Sequence, residues 1–346
     1  MEARTGFEPV DKGFADPGLT TWLPRHSNLT VSRRAAQCQT VTILSLESVI
    51  EYRQSVLIYN PVAGKLKRND QLLLRQTVAA LRGVGIEVRP APTIGPSTAG
   101  TIAREAIANG ADLIIGLGGD GTINEIASGM IGSHVPLAIL PGGTANVLSI
   151  ETRGGTHTVK AAKRLPQRVT RRIAVGRLAL SSGEQRHFLA MAGIGLDARV
   201  IEGVMPGLKK ATGKFAYWVA GFQRFLRPLD PVIFDGERLG FVLASRVRNY
   251  GGDLELARGA SLLHDDFEVV SFKGTNPLLY AFYMSAAVIR QHRLLPGVNV
   301  RRVSKLEFRE PGALVQVDGE LIGPTPATIE IIPDALTLLV DPAFQR

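Results

Sequence analysis

The residues Gly118-Gly-Asp-Gly-Thr122 set one carboxylate among three glycines, a combination suited to phosphate chemistry. Gly118, Gly119 and Gly121 can adopt positive φ and let a ligand approach the backbone closely. Asp120, held in that turn, can orient a metal ion or a hydroxyl. Other carboxylates fall in turn contexts at Asp265, Asp266, Asp318 and Glu320, with Asp318-Gly319-Glu320 the sharpest. Phosphoryl transfer needs a phosphate cradle, a cation to neutralise charge, and a group that orients the attacking hydroxyl. These residues could supply all three.

The flanking residues must position the turn. Leu113, Ile114, Ile115 and Leu117 form a short apolar run, as in a strand covered on both faces. Behind the turn, Ile123, Ile126, Ala127 and Met130 make one face of a helix that Thr122 is placed to cap, up to Glu125 and beyond. The free N–H groups of such a helix start suit a phosphate. Gly116-Leu-Gly-Gly-Asp-Gly121 also matches the dinucleotide fingerprint, but that fingerprint belongs on a first strand with an acid about 20 residues on. Here the strand is the third and position 141 is Pro. No G-x-x-x-x-G-K-[ST] loop exists, so a P-loop is excluded.

The same logic orders the rest of the first half. Val56-Leu-Ile-Tyr59 reads as a strand ending in the turn Asn60-Pro-Val-Ala-Gly-Lys65. A helix follows, with Asn69 or Asp70 as cap, Leu74, Val78 and Leu81 inward, and Gly83 or Gly85 as its end. Ile86 to Arg89 is a second strand, Ser97 caps a second helix that stops at Gly110, and Val135 to Leu140 is a fourth strand ending in Pro141-Gly-Gly-Thr-Ala-Asn146. Strands alternating with helices predict a doubly wound parallel sheet. In such sheets the loops rich in Gly, Pro, Asn and Thr gather at the carboxyl edge, where ligands bind. From about residue 170 short strands dominate: Ile173 to Leu180, His187 to Ala192, Val232 to Phe234, Arg238 to Ala244, Glu268 to Phe272, Val298 to Phe308, Leu314 to Val317, Thr328 to Ile332 and Leu336 to Val340. They predict a β-rich sandwich domain, interrupted by helices at Lys209 to Leu226 and Leu278 to Arg290. The expected organisation is a disordered extension over 1–53, an α/β domain over 54–150, a β-sandwich domain over 151–341 and a tail over 342–346.

The 346 residues are 45% hydrophobic and 21% charged, values of a folded protein rather than a disordered one. The single Cys38 excludes an internal disulfide framework and any cysteine metal site. A reducing cytoplasm is the expected compartment. Residues 1–53 carry six Lys/Arg against six Asp/Glu, so the net charge of +9 resides in 54–346. Such a surface can meet anionic lipid, nucleic acid or phosphorylated ligands. No interleaved aromatic and basic pattern appears, so nucleic acid is not an expected partner. No apolar run reaches 18 residues, and no signal peptide is evident at the start.

Taken in order, these motifs resemble the diacylglycerol kinase catalytic-domain family, which includes bacterial lipid kinases and sphingosine kinases. The resemblance rests on Asn60-Pro61 with Gly64, Gly118 to Glu125, Pro141 to Asn146, Gly213 to Tyr217 with Gly221-Phe222, Asn249, Gly259-Ala260 with Asp265-Asp266, and Val317 to Glu320. NAD kinases share the Gly-Gly-Asp-Gly core, and Asn124-Glu125 leans toward the lipid kinases. The resemblance implies ATP along the carboxyl edge, against Asn60, Pro61, Gly64, Lys65, Gly118, Gly119, Asp120, Gly121, Thr122, Asn124, Glu125, Gly143, Thr144 and Asn146. It implies Mg²⁺ held through Asp120, and a lipid hydroxyl entering between the domains. Glu320 with Asp318 beside it is the first choice for the base, and Asp120 the rival. Asp266, with oxygens near Leu263 and Glu268, would match a structural metal site. The implied setting is an enzyme peripheral to an anionic membrane surface, with a homodimer left open. Lys209, Lys210 and Lys214 beside Phe215, Tyr217, Trp218 and Phe222 could form an interfacial helix. Three residues depart from the family pattern: Val147 and Ala174 stand where many bacterial members have acids, and Phe267 where a Gly is usual. Val147 and Ala174 leave open a different acceptor, weakened activity or a non-catalytic ATP- or lipid-binding homologue, and Phe267 speaks against the second-domain metal site. The shared Gly-Gly-Asp-Gly turn leaves open a soluble-substrate kinase of the NAD kinase type.

Overall fold

A computed structural model describes residues 52–195, 198, 231–251 and 254–344. The expectations for the extension before Tyr52 and for the helix at Lys209 to Leu226 fall outside these residues.

The first half alternates as expected: β1 (Ser55–Tyr59), α1 (Leu66–Arg82), β2 (Val88–Pro92), α2 (Ala99–Ala108), β3 (Leu113–Gly118), α3 (Asp120–Met130), β4 (Leu137–Pro141), α4 (Val147–Glu151) and α5 (Thr158–Lys163). The second half holds β5 (Val169–Leu180), β6 (Gln185–Phe188), β7 (Met191–Gly195), β8 (Val232–Phe234), β9 (Glu237–Ser245), β10 (Asn249–Gly251), β11 (Leu254–Glu255) and β12 (Phe267–Lys273). It closes with α6 (Pro277–Val288), β13 (Val298–Val303), β14 (Lys305–Phe308), β15 (Leu314–Val317), β16 (Glu320–Pro324) and β17 (Ala327–Val340).

Two large sheets organise these strands, apart from β10 and β11, which pair with each other. The first runs β2-β1-β3-β4-β17-β5-β6, with β14 also on β17, and the second runs β13-β12-β9-β7-β15-β16, with β8 on β9. Strands β1 to β4 pair in parallel, as the helical crossovers require. The last strand then returns: Leu338 and Leu339 of β17 pair in parallel with Leu137 and Ala138 of β4, while its other edge pairs antiparallel with β5 along its length. The parallel sheet therefore continues into the β-rich half. There its far end faces the second sheet across a core of Leu178, Phe188, Phe308 and Ile329 against Ile194, Val242, Val269 and Val317. This facing pair is the sandwich.

Several boundaries differ from the sequence reading. Helix α1 begins at Leu66, ahead of Asn69 and Asp70, because the Lys65 N–H is drawn onto the Gly142 carbonyl (3.0 Å) and turns the chain early. Strand β2 lies at 88–92 rather than 86–89. It is an edge strand, where Pro90 and Pro92 are tolerated. Ser97 does not cap α2. It sits at φ 60° ahead of Thr98, and the Glu125 carboxylate from α3 accepts the Ala99 N–H instead (3.3 Å). Helix α3 starts at Asp120 with Gly119 as N-cap, which puts Thr122 inside the first turn. The stretch His187 to Ala192 is two strands in different sheets, as is Val298 to Phe308. Thr328 to Val340 is one strand with an irregularity between Ile332 and Leu336.

Candidate active site

Three loops meet at the carboxyl edge of the first sheet, and main-chain bonds tie them together. The Asn60 N–H donates to Leu117 O (3.1 Å), and Gly142 N–H donates to Gly118 O (2.8 Å). A Cβ on Gly143 would stand 2.5 Å from the Gly119 Cα, so the third loop can touch the signature loop only because Gly143 lacks a side chain. Gly121 faces open space, and Gly64 faces the Thr144 hydroxyl across a gap that a Cβ would narrow to 3.4 Å. Thr144 itself is exposed beside this cradle.

The polar side chains of the loops divide into those that build the cradle and those that face it. Asn60 donates to the Thr122 hydroxyl (3.2 Å) and accepts from Val62 N–H (3.0 Å), bracing the loop after Pro61. Asn146, at φ 50° and buried, accepts from Gly143 N–H (2.8 Å) and donates to Gly143 O (2.9 Å), so it closes its own loop. Lys65 donates to Thr156 O, and burial pulls its ammonium below its usual range. Glu125 is committed to α2, as described above. Asn124 donates to His187 O on β6 (3.0 Å), linking the signature helix to the β-rich half, while its Oδ1 is buried with no protein partner.

Asp120 and Asp318 bring carboxylates to this edge from the two halves. Asp120 accepts from Leu148 N–H (3.2 Å) at the start of α4, and burial pushes its carboxyl upward against that bond. Asp318, in the turn between β15 and β16 at φ 47°, accepts from Leu189 (2.9 Å), Ala190 (3.0 Å) and Met191 (2.8 Å) N–H groups. Its residue is partly exposed through the turn, yet its carboxyl is desolvated and pushed up to about 6; burial is the main cause and the Asp120 charge adds to it. Glu320 opens β16 as an exposed residue, on the same turn but outside this pair. Sequence reasoning missed the three main-chain donors at Leu189 to Met191, since amide donors leave no mark in residue type.

The second-domain residues form a separate cluster. Arg302 pairs with Asp266 through two nitrogens (2.9 and 2.6 Å), and Arg293 pairs with the buried Glu268. Arg246, fully buried, donates to Leu262 O (2.8 Å) and His264 O (3.1 Å), the carbonyls on either side of Leu263. Among the described residues no group of three or more His, Cys, Asp or Glu could hold a metal ion. This donor set does not fit a cation: its positive charge comes from arginines. Phe267 is buried and stacks on Phe188 with centroids 5.7 Å apart, Ala174 is buried in β5, and Val147 packs at the edge of the core. The Lys209 to Phe222 group lies outside the described residues.

Comparison with known proteins now defines the class. A family profile described as the diacylglycerol kinase catalytic domain matches residues 54–178. A diacylglycerol kinase of Bacillus subtilis (strain 168) is 30% identical over 240 residues, covering 65% of this chain and 75% of that one. One from Staphylococcus saprophyticus is 25% identical over 287 residues, with 79% and 91% covered, and one from Mycobacterium tuberculosis is 26% identical over 271, with 76% and 87% covered. The chain belongs to the diacylglycerol kinase catalytic-domain family. The fold agrees: a crystal structure of a diacylglycerol kinase from Bacillus anthracis aligns with a TM-score of 0.64 at 20% identity, covering 85% of this chain and 99% of that one. Two further solved chains from that organism align with TM-scores of 0.70 and 0.68 at 23% and 22% identity. Among the described residues no helix is long and apolar enough to cross a membrane.

Proposed function

We propose that this protein transfers the γ-phosphoryl group of ATP to a hydroxyl of a lipid, of which diacylglycerol is the first candidate. The observation that carries this reading is the glycine-lined cradle where the Gly118 to Gly121 turn meets the Gly142 to Thr144 loop, with Asp120 held beside it by the Leu148 N–H and its charge felt by Asp318 of the β-rich half. Gly119, Gly121 and Gly143 leave backbone open to phosphates, and the start of α3 offers N–H groups to them. Mg²⁺ would neutralise phosphate charge there, with Asp120 as the residue to hold it.

The geometry also supports a division of labour among the acids. Both oxygens of Asp318 are occupied by main-chain donors, which suits an anchor that fixes the β15–β16 turn. Asp120, raised by burial and only partly enclosed, suits the group that orients the lipid hydroxyl or the cation. Glu320 is exposed and free to swing toward a substrate entering from solvent.

Peripheral attachment to an anionic membrane accompanies this reading, because a lipid substrate resides in one. The test is transfer of label from γ-³²P-ATP to a panel of lipids in mixed micelles, with NAD and a no-lipid control. Label entering one lipid supports the proposal and names the acceptor; label entering NAD replaces it with a soluble-substrate kinase. A second reading rests on two apolar residues at places where the family resemblance led us to expect acids: Ala174 is buried in β5 and Val147 packs at the edge of the core. It predicts ATP binding without turnover in the same assay.

A further inference from the structure

Among the described residues, none covers one apolar side of helix α6. One face is seated firmly: Tyr280 donates to Phe272 O (3.1 Å), Tyr283 donates to Pro296 O (3.3 Å), and both rings are buried beside Phe272 with Ala286 and Ala287. The opposite face carries Leu278, Ala281, Phe282, Ser285, Val288 and Ile289, all exposed and spaced as one stripe of a helix. Phe282 is 54% exposed, Leu278 79%, and Leu294 just beyond the helix also 79%. Solitary exposed apolar residues need no explanation, but a contiguous stripe on a rigid helix marks a contact surface.

The chemistry of the stripe fits a lipid surface. It contains no charged residue, and its one hydroxyl, Ser285, donates within the helix to Ala281 O (2.8 Å), so no polar demand is carried into an apolar layer. Residues 269–306 contain six Lys/Arg and no Asp/Glu. These cations meet acids from other segments, and at the end of the stripe two arginines share one: Arg290 (3.4 Å) and Arg258 (3.8 Å) both reach Glu255. Among the described residues, one carboxylate is thus shared by two guanidinium groups near Ile289. Both arginine side chains are about half exposed, at 56% and 47%, and exposed pairs are weak enough to exchange a carboxylate for a lipid phosphate.

We infer that the exposed stripe of α6, with Leu294 beside it, is the surface by which this protein docks on an anionic bilayer, apolar side chains in the headgroup layer and Arg258 and Arg290 on lipid phosphates. This rests on the lipid-kinase reading for its purpose, but not for its test. The probe is sedimentation with vesicles of phosphatidylglycerol and phosphatidylcholine, without ATP, for the full chain. Phe282→Glu combined with Ile289→Glu should lower the bound fraction at least about tenfold, with the thermal midpoint kept. Leu72→Glu, an exposed site on α1, should bind as the parent does. Pure phosphatidylcholine should bind less than the mixture. The inference is overturned if the double variant binds like the parent, or if the parent leaves the vesicles in solution. It is equally overturned if the parent is a dimer that the double variant dissolves while vesicle binding is unchanged; a second copy then covers the stripe. A parent that stays off the vesicles while label still enters a detergent-dispersed lipid would sink this surface and leave the kinase reading intact.

Discussion

Asn124 in α3 donates its amide to the main-chain carbonyl of His187 in β6 at 3.0 Å, so a residue just behind the glycine turn clasps the β-rich half of the protein. Its Oδ1 is buried without a protein partner, which fixes the amide's orientation by exclusion. Asn124→Ala leaves the His187 carbonyl without its donor and should cost about 1–3 kcal/mol in urea unfolding. Asn124→Asp should cost more, because it sets an anionic oxygen against that carbonyl. If aspartate proves milder than alanine, the clasp is not what Asn124 supplies.

Asp318 predicts a pH window for stability. Its folded value is pushed from 3.8 up to about 6, so the folded state holds this proton more tightly than the unfolded chain does. The resulting stability is fully present below about pH 4 and is lost as pH rises through about 6. A shift of this size corresponds to roughly 3 kcal/mol. Asp318→Asn should be less stable near pH 4, since its NH₂ must meet a main-chain N–H donor. It should also lack the decline between pH 4 and 6. Unfolding midpoints of both proteins across that range decide it; parallel curves would remove Asp318 as the source.

The sequence was readable where a local pattern carried the structure. The apolar run Leu113 to Leu117 and the glycine turn after it gave β3 and α3, because a strand buried on both faces needs such a run. Long-range pairing left no such mark. Nothing near Leu338 says that β17 returns to the first sheet beside β4, and nothing at Ser304 says that the chain changes sheets there. The site divided in the same way. Residue types pointed to Asp120 and Asp318, but not to the use of Glu125 as the acceptor for α2 or of Asn124 as a clasp. Those roles depend on a partner about 26 and 63 residues away in the chain.

The arginine cluster of the β-rich half predicts indifference to chelation. Arg246 is pulled down to about 10 by burial, against the charges of Asp265 and Asp266, and still donates to two loop carbonyls. Removing it in Arg246→Met strands those carbonyls and should cost roughly 2–5 kcal/mol. EDTA or added Ca²⁺ should leave the thermal midpoint of the parent where it was. A midpoint that falls on chelation and recovers with a divalent ion would show that Asp266, Glu268 and the Leu263 carbonyl hold a cation after all.

The roles of the three candidate acids separate by how each is held. Asp120→Asn keeps the acceptor for the Leu148 N–H and removes only charge, so its thermal midpoint should stay close to that of the parent. If Asp120 orients the hydroxyl or the cation, phosphoryl transfer to lipid should fall about 10²-fold or more, within the usual range for losing such a group. ATP binding, followed separately by calorimetry, should weaken only when Mg²⁺ is present, because the charge at Asp120 acts on the cation and not on the base or sugar. Glu320→Gln changes an exposed side chain and should unfold like the parent; its effect on turnover should be smaller than that of Asp120→Asn. The reverse order, with Glu320→Gln the more damaging and ATP affinity preserved, would move the general base to Glu320 and leave Asp120 as the tie between the α3 and α4 loops.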